Sequence, residues 1–335
     1  MRLSYILPLR WQESQGADEL ATYLRVLSPH LDVIVVDGSP SEIFALHACK
    51  WGSLVRHVAT NQSLRCANGK VANVLTGLAH AKHDRVVLAD DDVRYDLETL
   101  RRLDRCLDDA DLVMPQNYFD PRPWHAIWDS ARSLINRSFW HDFAGTVALR
   151  RSALPLGYDG DVLFENLQLE RTIAAFGGRV HHLPGVYVRR LPPSARKFWS
   201  QRVRQAYDEF ARPFVLALWL AIAPFVAVVA WRTSWLAIVV AAFVAMTLAE
   251  IGRRRHGGQA VFPLAATVVA PLWIAERSIC AWLAVGARVF FGGVRYGTGR
   301  IRRAATSTTE IRRRLPDPMV GSSRAQPRSH RLFSG

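Results

Sequence analysis

Val86-Val87-Leu88-Ala89-Asp90-Asp91-Asp92-Val93 is the stretch on which the reading of this chain turns. An apolar run of strand type ends abruptly in three acids. Open α/β sheets bind ligands at the carboxyl ends of their strands, so these carboxylates fall where a ligand would sit. Asp90 and Asp92 are two apart and in extended geometry point the same way, with Asp91 opposed. Two hard oxygen donors on one side suit Mg²⁺ or Mn²⁺ carrying phosphate oxygens. Taken alone, such a triplet reads more readily as a polar strand end or a solvated turn. Its surroundings decide.

Outward from the triplet the chain alternates strands and helices. Upstream, Ser4 to Leu9 is an apolar strand, Ala17 to Leu27 has Leu20, Leu24 and Leu27 at helical spacing, and Asp32 to Asp37 is a second buried-type strand ending in an acid. Gly38-Ser39-Pro40 then turns the chain. A short strand is expected at Leu54 to Val58, a helix from Lys70 to Ala81, and the decisive strand from Arg85. Downstream follow a helix at Leu97 to Leu107 and a strand at Leu112 to Pro115. An aromatic, mixed region covers 124–150, with a strand at Gly145 to Leu149. A helix from Phe164 to Phe176 stops at Gly177-Gly178, and an extended segment runs from Arg179 to Arg190. Such alternation implies a Rossmann-like α/β fold with a mainly parallel sheet, covered on both faces.

Beyond Pro213 the character changes. Pro213 to Trp231 is an uncharged run of membrane-spanning length. Trp235 to Ala249 is a second run, joined to the first by the tight link Arg232-Thr233-Ser234. Arg253 to Arg255 would mark the return to the cytosolic side. A third run, Ala260 to Ala275, is interrupted by Glu276 and Arg277. Ser278 to Phe291 follows as a fourth span or an interfacial helix. The expected plan is a soluble domain over 1–200, an amphipathic interface segment at 201–212, a membrane region of three or four helices over 213–292, and a basic tail at 293–335. The tail's Ser, Thr, Pro and Gly content suggests disorder.

The chain has 335 residues and a formal charge of +14, which favours polyanions. No zinc-finger or RNA-recognition pattern points to nucleic acid. Many basic residues flank the apolar runs, so anionic lipid is the more economical partner. The four cysteines lack paired spacing, which fits a reducing compartment. The N-terminus reads as a strand and not as a signal peptide, placing the first domain in the cytosol of a multi-pass inner-membrane protein.

Taken in order, these motifs resemble family 2 glycosyltransferases with the GT-A fold, especially membrane-attached members such as ceramide glucosyltransferases and polysaccharide synthases. The carriers of the resemblance, across residues 3–210, are Tyr5-Ile6-Leu7-Pro8, Val35-Val36-Asp37-Gly38-Ser39, Asn68-Gly69-Lys70 with Ala72-Asn73, and the metal-binding pattern at Asp90–Asp92. The resemblance implies donor binding by Pro8, Asp37, Lys70 and Asp90, with Asp37 on the base or ribose of a UDP-sugar. It implies Mg²⁺ or Mn²⁺ on Asp90 and Asp92. Such members carry Q-x-x-R-W before their C-terminal helices. Here Gln201 and Arg204 match, as donor-diphosphate ligands, and Gln205 replaces the Trp.

The resemblance also implies an acidic pair supplying the general base; this chain has Glu165-Asn166. An amide is no base at neutral pH, which leaves Glu165 as the base and Asp161 as its alternative. Asp142 and Trp140 are candidate acceptor contacts. His181-His182 raises the question of a metal, but neighbours on a strand face opposite ways. The implied activity is inverting transfer from a nucleotide-sugar to a lipid or lipid-linked acceptor. A polysaccharide synthase and a non-catalytic membrane adaptor are the alternatives.

Overall fold

The computed structural model describes residues 1–232, 235–297 and 299–314. The first half runs β1 (Leu3–Leu9), α1 (Ala17–Leu27), β2 (Asp32–Asp37), α2 (Ser41–Trp51), β3 (Arg56–Ala59), α3 (Gly69–His80), β4 (Arg85–Ala89), β5 (Val93–Arg94), α4 (Leu97–Cys106) and β6 (Leu112–Phe119). It continues through α5 (Trp124–Phe139), β7 (Thr146–Arg150), α6 (Glu165–Ala175), β8 (Val180–Arg190) and α7 (Ala195–Tyr207). Eight strands form one sheet in the order β3-β2-β1-β4-β7-β6-β8-β5. β1 to β4 are parallel; β7 enters antiparallel between β4 and β6, and β5 caps β8 antiparallel.

The expected α/β class with a mainly parallel sheet is what the chain adopts. Strand alternation explains its layering. Tyr5, Leu7, Val33, Val35 and Val87 face one side and pack with Leu20 and Leu24 of α1 and Leu100 and Leu103 of α4. Ile6, Ile34, Val36, Val86 and Leu88 face the other and meet Val71 and Val74 of α3 and Ile173 of α6. Two helices escaped the sequence reading. α2 carries His47 and Trp51 as its only buried residues, so it shows no apolar stripe. α5 buries Asp129, Ser130, Ser133 and Arg137 beside Leu134 and Ile135, so its inner face is half polar.

The C-terminal part comprises α8 (Pro213–Arg232), α9 (Trp235–Arg254), α10 (Leu264–Val268), α11 (Ala270–Phe291), the hairpin β9 (Val294–Tyr296) and β10 (Gly299–Ile301), and α12 (Thr308–Arg314). Among the described residues, α8 and the stretch Trp235–Ala260 are long and apolar enough to cross a membrane. The expected three or four spans reduce to two candidates. The third and fourth runs instead form short α10 and the single helix α11, unbroken at Glu276 and Arg277. Both charges are turned inward: Glu276 pairs with buried Arg202 of α7, and Arg277 Nη2 donates to Glu209 at 2.8 Å.

Residues 201–212 also differ from a segment lying on a surface. Arg202, Ala206 and Tyr207 are buried where α7 packs on α11. The helical part docks on α5 through Leu134, Trp219, Ala249, Phe262 and Trp273. At Gly252 of α9 a Cβ would stand 1.9 Å from the Leu134 carbonyl oxygen, so only glycine lets the two backbones meet. Arg137 locks the same junction, donating to the carbonyls of Gly252 and Pro184. The expected disorder from Arg300 does not hold through Arg314. Ile301 and Ala304 are buried against Leu163 and Tyr207, and Gln168 accepts from the Thr306 amide at 2.7 Å. The rest of the tail, and Thr233 and Ser234 of the tight link, lie outside the described residues.

Candidate active site

β4 ends at Ala89, and the three acids follow as a turn. In a turn the alternation expected of an extended strand does not hold: all three acids border one cleft of about 770 Å³, and Asp91 also accepts from the Trp11 indole. Arg190, at the end of β8, bridges Asp90 and Asp92. The Arg190 Nε donates to both Asp92 oxygens at 3.0 Å, and its Nη2 lies 3.3 Å from Asp90 Oδ2. Burial raises the Asp92 carboxyl, against the opposing pull of Arg190.

Lys70 supplies the second cation. Asn68 caps α3 by accepting from the Lys70 amide, so the lysine leaves the first turn of the helix and enters the cleft. Its ammonium pairs with Asp90 and donates to Glu165 Oε1 at 2.6 Å. Burial alone would lower its pKa, but the two carboxylates raise it above the ordinary lysine value. Lys70 is therefore an ion-paired element of the cleft and not a solvated helix-start residue. Glu165 is the first residue of α6. The neighbouring Asn166 donates to the Ala144 carbonyl at 2.8 Å. Asp161 accepts from the Ala67 amide and does not border the cleft.

The backbone beneath the acids is equally specific. Asp90 N donates to the Gly145 carbonyl at 3.1 Å. A Cβ on Gly145 would stand 2.6 Å from Asp90 Oδ2 and 2.9 Å from Arg190 Nη1. Gln201 and Arg204, one turn apart on α7, border the cleft, as does Gln205. Pro8 closes the floor beside Leu9 and Arg10.

Three expected residues are placed elsewhere. Asp37 is 1% exposed and does not border this cleft. Its Oδ2 meets His47 Nδ1 at 2.7 Å and His57 Nε2 at 3.0 Å, while Oδ1 accepts from the Ser39 amide. Burial would raise this carboxyl, but hydrogen bonds from His57, Ser39 and His47 prevail and hold it at about 2. Both of its oxygens are engaged inside the fold. Asp142 is similarly consumed by Arg132, Ser133 and Asn136. Trp140 is 74% exposed just past α5 and does not border the cleft.

The sequence reading also missed residues. Arg190 was visible only as one more basic residue in a basic stretch. Asp208, just after α7, borders the cleft, and burial pushes its carboxyl up to about 8. Its Oδ1 is buried without a partner. Tyr296 arrives from β9, with Arg204 stacked over its ring at 5.4 Å. A second, smaller cavity shares Asp90, Arg132, Arg190, Gln205 and Asp208 with the cleft and reaches Trp219 of α8 and Trp273 of α11.

A sequence model described as glycosyl transferase family 21 matches residues 46–117, a span that contains Lys70 and the acid triplet. A mannosyltransferase from Pyrobaculum calidifontis, solved with GDP-mannose and Mn²⁺, superposes with a TM-score of 0.50 at 23% identity. The match covers 81% of this chain and 87% of that one. The chain has the GT-A fold, and its segment 46–117 is similar to glycosyl transferase family 21. A glucosyl-3-phosphoglycerate synthase from Mycobacterium tuberculosis, in complex with phosphoglyceric acid, is 19% identical over 59% of this chain and 74% of that one, with a TM-score of 0.40. Curated protein sequences offer no significant match. The Asp90–Asp92 turn, Lys70, Glu165 and Arg190 meet in one cleft, which Gln201 and Arg204 also line.

Proposed function

We propose that this chain is a glycosyltransferase that moves a sugar, with inversion, from a UDP-linked donor to a lipid or lipid-linked acceptor at the cytosolic face of a membrane. The observation that carries the reading is the continuity between the charged cleft and the cavity under Trp219 and Trp273. It leads from the paired acids to Trp219 of α8, a helix that, like α9, turns apolar side chains outward. Phe214 and Trp231 of α8 and Trp235 of α9 are 93%, 86% and 74% exposed, as lipid-facing residues would be.

Asp90 and Asp92 fit a divalent metal. They present hard oxygens on one side of a cleft, and their charge is balanced by Lys70 and Arg190. The mannosyltransferase neighbour holds Mn²⁺, and a divalent ion here would act as Lewis acid on the leaving diphosphate. Arg204 and Gln201 orient that diphosphate, Arg204 by paired hydrogen bonds. Glu165 takes the proton of the acceptor hydroxyl as it attacks the anomeric carbon. A single displacement with the base opposite the leaving group inverts the centre. Two candidate spans are few for a polysaccharide channel, which favours a single transfer.

The test is UDP release by detergent-solubilised protein with lipid extract, over a panel of UDP-sugars, with Mn²⁺ and with EDTA. Release that EDTA and Asp92→Asn both abolish is the expected result. Release unaffected by either, or equal in the absence of lipid, would overturn the reading.

A further inference from the structure

Away from the cleft, three side chains converge where the loop after α5 meets β8 and α6. They are His141, His182 and Glu170, and one ligand atom from each lies within 4.8 Å of the others. The His141 and His182 rings stack at 3.5 Å, and His182 Nε2 lies 3.3 Å from Glu170 Oε1. Each residue also holds one buried polar atom with no partner: His141 Nδ1, His182 Nδ1 and Glu170 Oε2. Buried polar atoms are nearly always satisfied, and three residues of one cluster that each leave one unsatisfied need an explanation. His181, beside His182, points the other way, so the sequence pair was never the ligand set; the partners come from α6 and from the loop.

We propose that His141, Glu170 and His182 form a second, structural metal site that takes a divalent transition metal, Zn²⁺ foremost. Two imidazoles and one carboxylate are a borderline donor set, suited to Zn²⁺ and unlike the all-oxygen pair at Asp90 and Asp92. With metal–ligand distances of about 2.0–2.2 Å, tetrahedral ligand atoms stand about 3.4 Å apart. The cluster reaches that by ring rotation and small shifts. A water would fill the fourth position.

The site clamps structure next to the chemistry. The loop that carries His141 continues into Ala144 and Gly145, which hold Asn166 and Asp90. The helix that carries Glu170 begins at Glu165. A metal here would fix the loop to the base helix without touching substrate.

The full-length protein, purified without chelator, should contain Zn²⁺ near one equivalent by mass spectrometry. Stripped protein should bind Zn²⁺ in competition with a chromophoric chelator, and Co²⁺ should give the intense d–d absorption of a tetrahedral nitrogen and oxygen site. His182→Gln and Glu170→Gln should each weaken Zn²⁺ binding more than about a hundredfold, while Asp92→Asn leaves it unchanged. Donor binding by each variant checks that it is folded. Zn²⁺ binding that survives both cluster substitutions, or that Asp92→Asn removes, would overturn the proposal. So would folded wild-type protein that takes up no Zn²⁺.

Discussion

Two strands of one sheet, on either side of β1, lead into acids, and the two ends have opposite fates. At Asp37 the carboxylate is sealed beneath α2, with two imidazoles and a backbone amide taking its oxygens. At Asp90 and Asp92 the carboxylates face an open cleft, and long, displaceable cations hold them. Both stretches read alike as apolar runs ending in Asp. The difference lies in what packs over them: α2 brings His47 and Trp51 down on the first, while Gly145 leaves the second uncovered. An acid that closes its hydrogen bonds inside the fold is a structural element. One held by lysine and arginine can exchange those cations for a ligand.

This contrast can be broken at several points. Asp92→Asn should lower transfer at least about a thousandfold with little change in melting temperature. Near-normal turnover would put the metal elsewhere. Glu165→Gln should cost about 10²–10⁴-fold in kcat with donor binding preserved, as calorimetry with UDP would show. Full activity would move the base to another group. Gly145→Ala drives a methyl into Asp90 and Arg190, and should lower kcat/KM tens-fold by displacing both, with the donor KM rising most.

Asp37→Asn should destabilise the fold by about 3 kcal/mol, as breaking a buried ionic network does, yet leave the donor KM of the folded fraction within about threefold. A large rise in KM would restore its role in nucleotide binding. The pH dependence of Asp37 has a definite sign. Its lowered pKa contributes stability that is fully present above the ordinary carboxyl value of 3.8 and lost as pH falls towards about 2.

Asp208 gives the smallest effect and the opposite sign. Its folded value is about 8 against an ordinary 3.8, so between those values the folded state keeps a proton that the unfolded state has lost. Stability therefore declines as pH rises from about 4 to about 8. Wild-type protein should melt a few degrees lower at pH 8.5 than at pH 6, and Asp208→Asn should lose that drop. An identical decline in the variant would exclude Asp208 as its source.

Most of the fold was legible because it obeys local rules. β4 begins and ends where its apolar run and acids place it, and Asn68 announces the start of α3. The acid triplet stands out in the sequence itself, and the resemblance to family 2 glycosyltransferases adds Lys70, Glu165, Gln201 and Arg204. What stayed hidden depends on contacts distant in sequence. Arg190 is one arginine among many until β8 brings it 98 residues back to Asp92. Asp142 resembled a free acid because Arg132, Ser133 and Asn136 lie on a helix whose polar inner face disguised it. The hydropathy of α11 suggested membrane, since only the folded chain supplies partners for Glu276 and Arg277.

The β9–β10 hairpin has a consequence for the order in which the enzyme comes into being. Tyr296 forms part of the cleft wall, and Ile301 and Ala304 seal against α7, yet all three follow α8 and α9 along the chain. A nascent chain that has made its whole sheet still lacks one side of the pocket. That side arrives only after the apolar hairpin has been synthesised. The cleft that holds the paired acids is complete only once both apolar helices have been made.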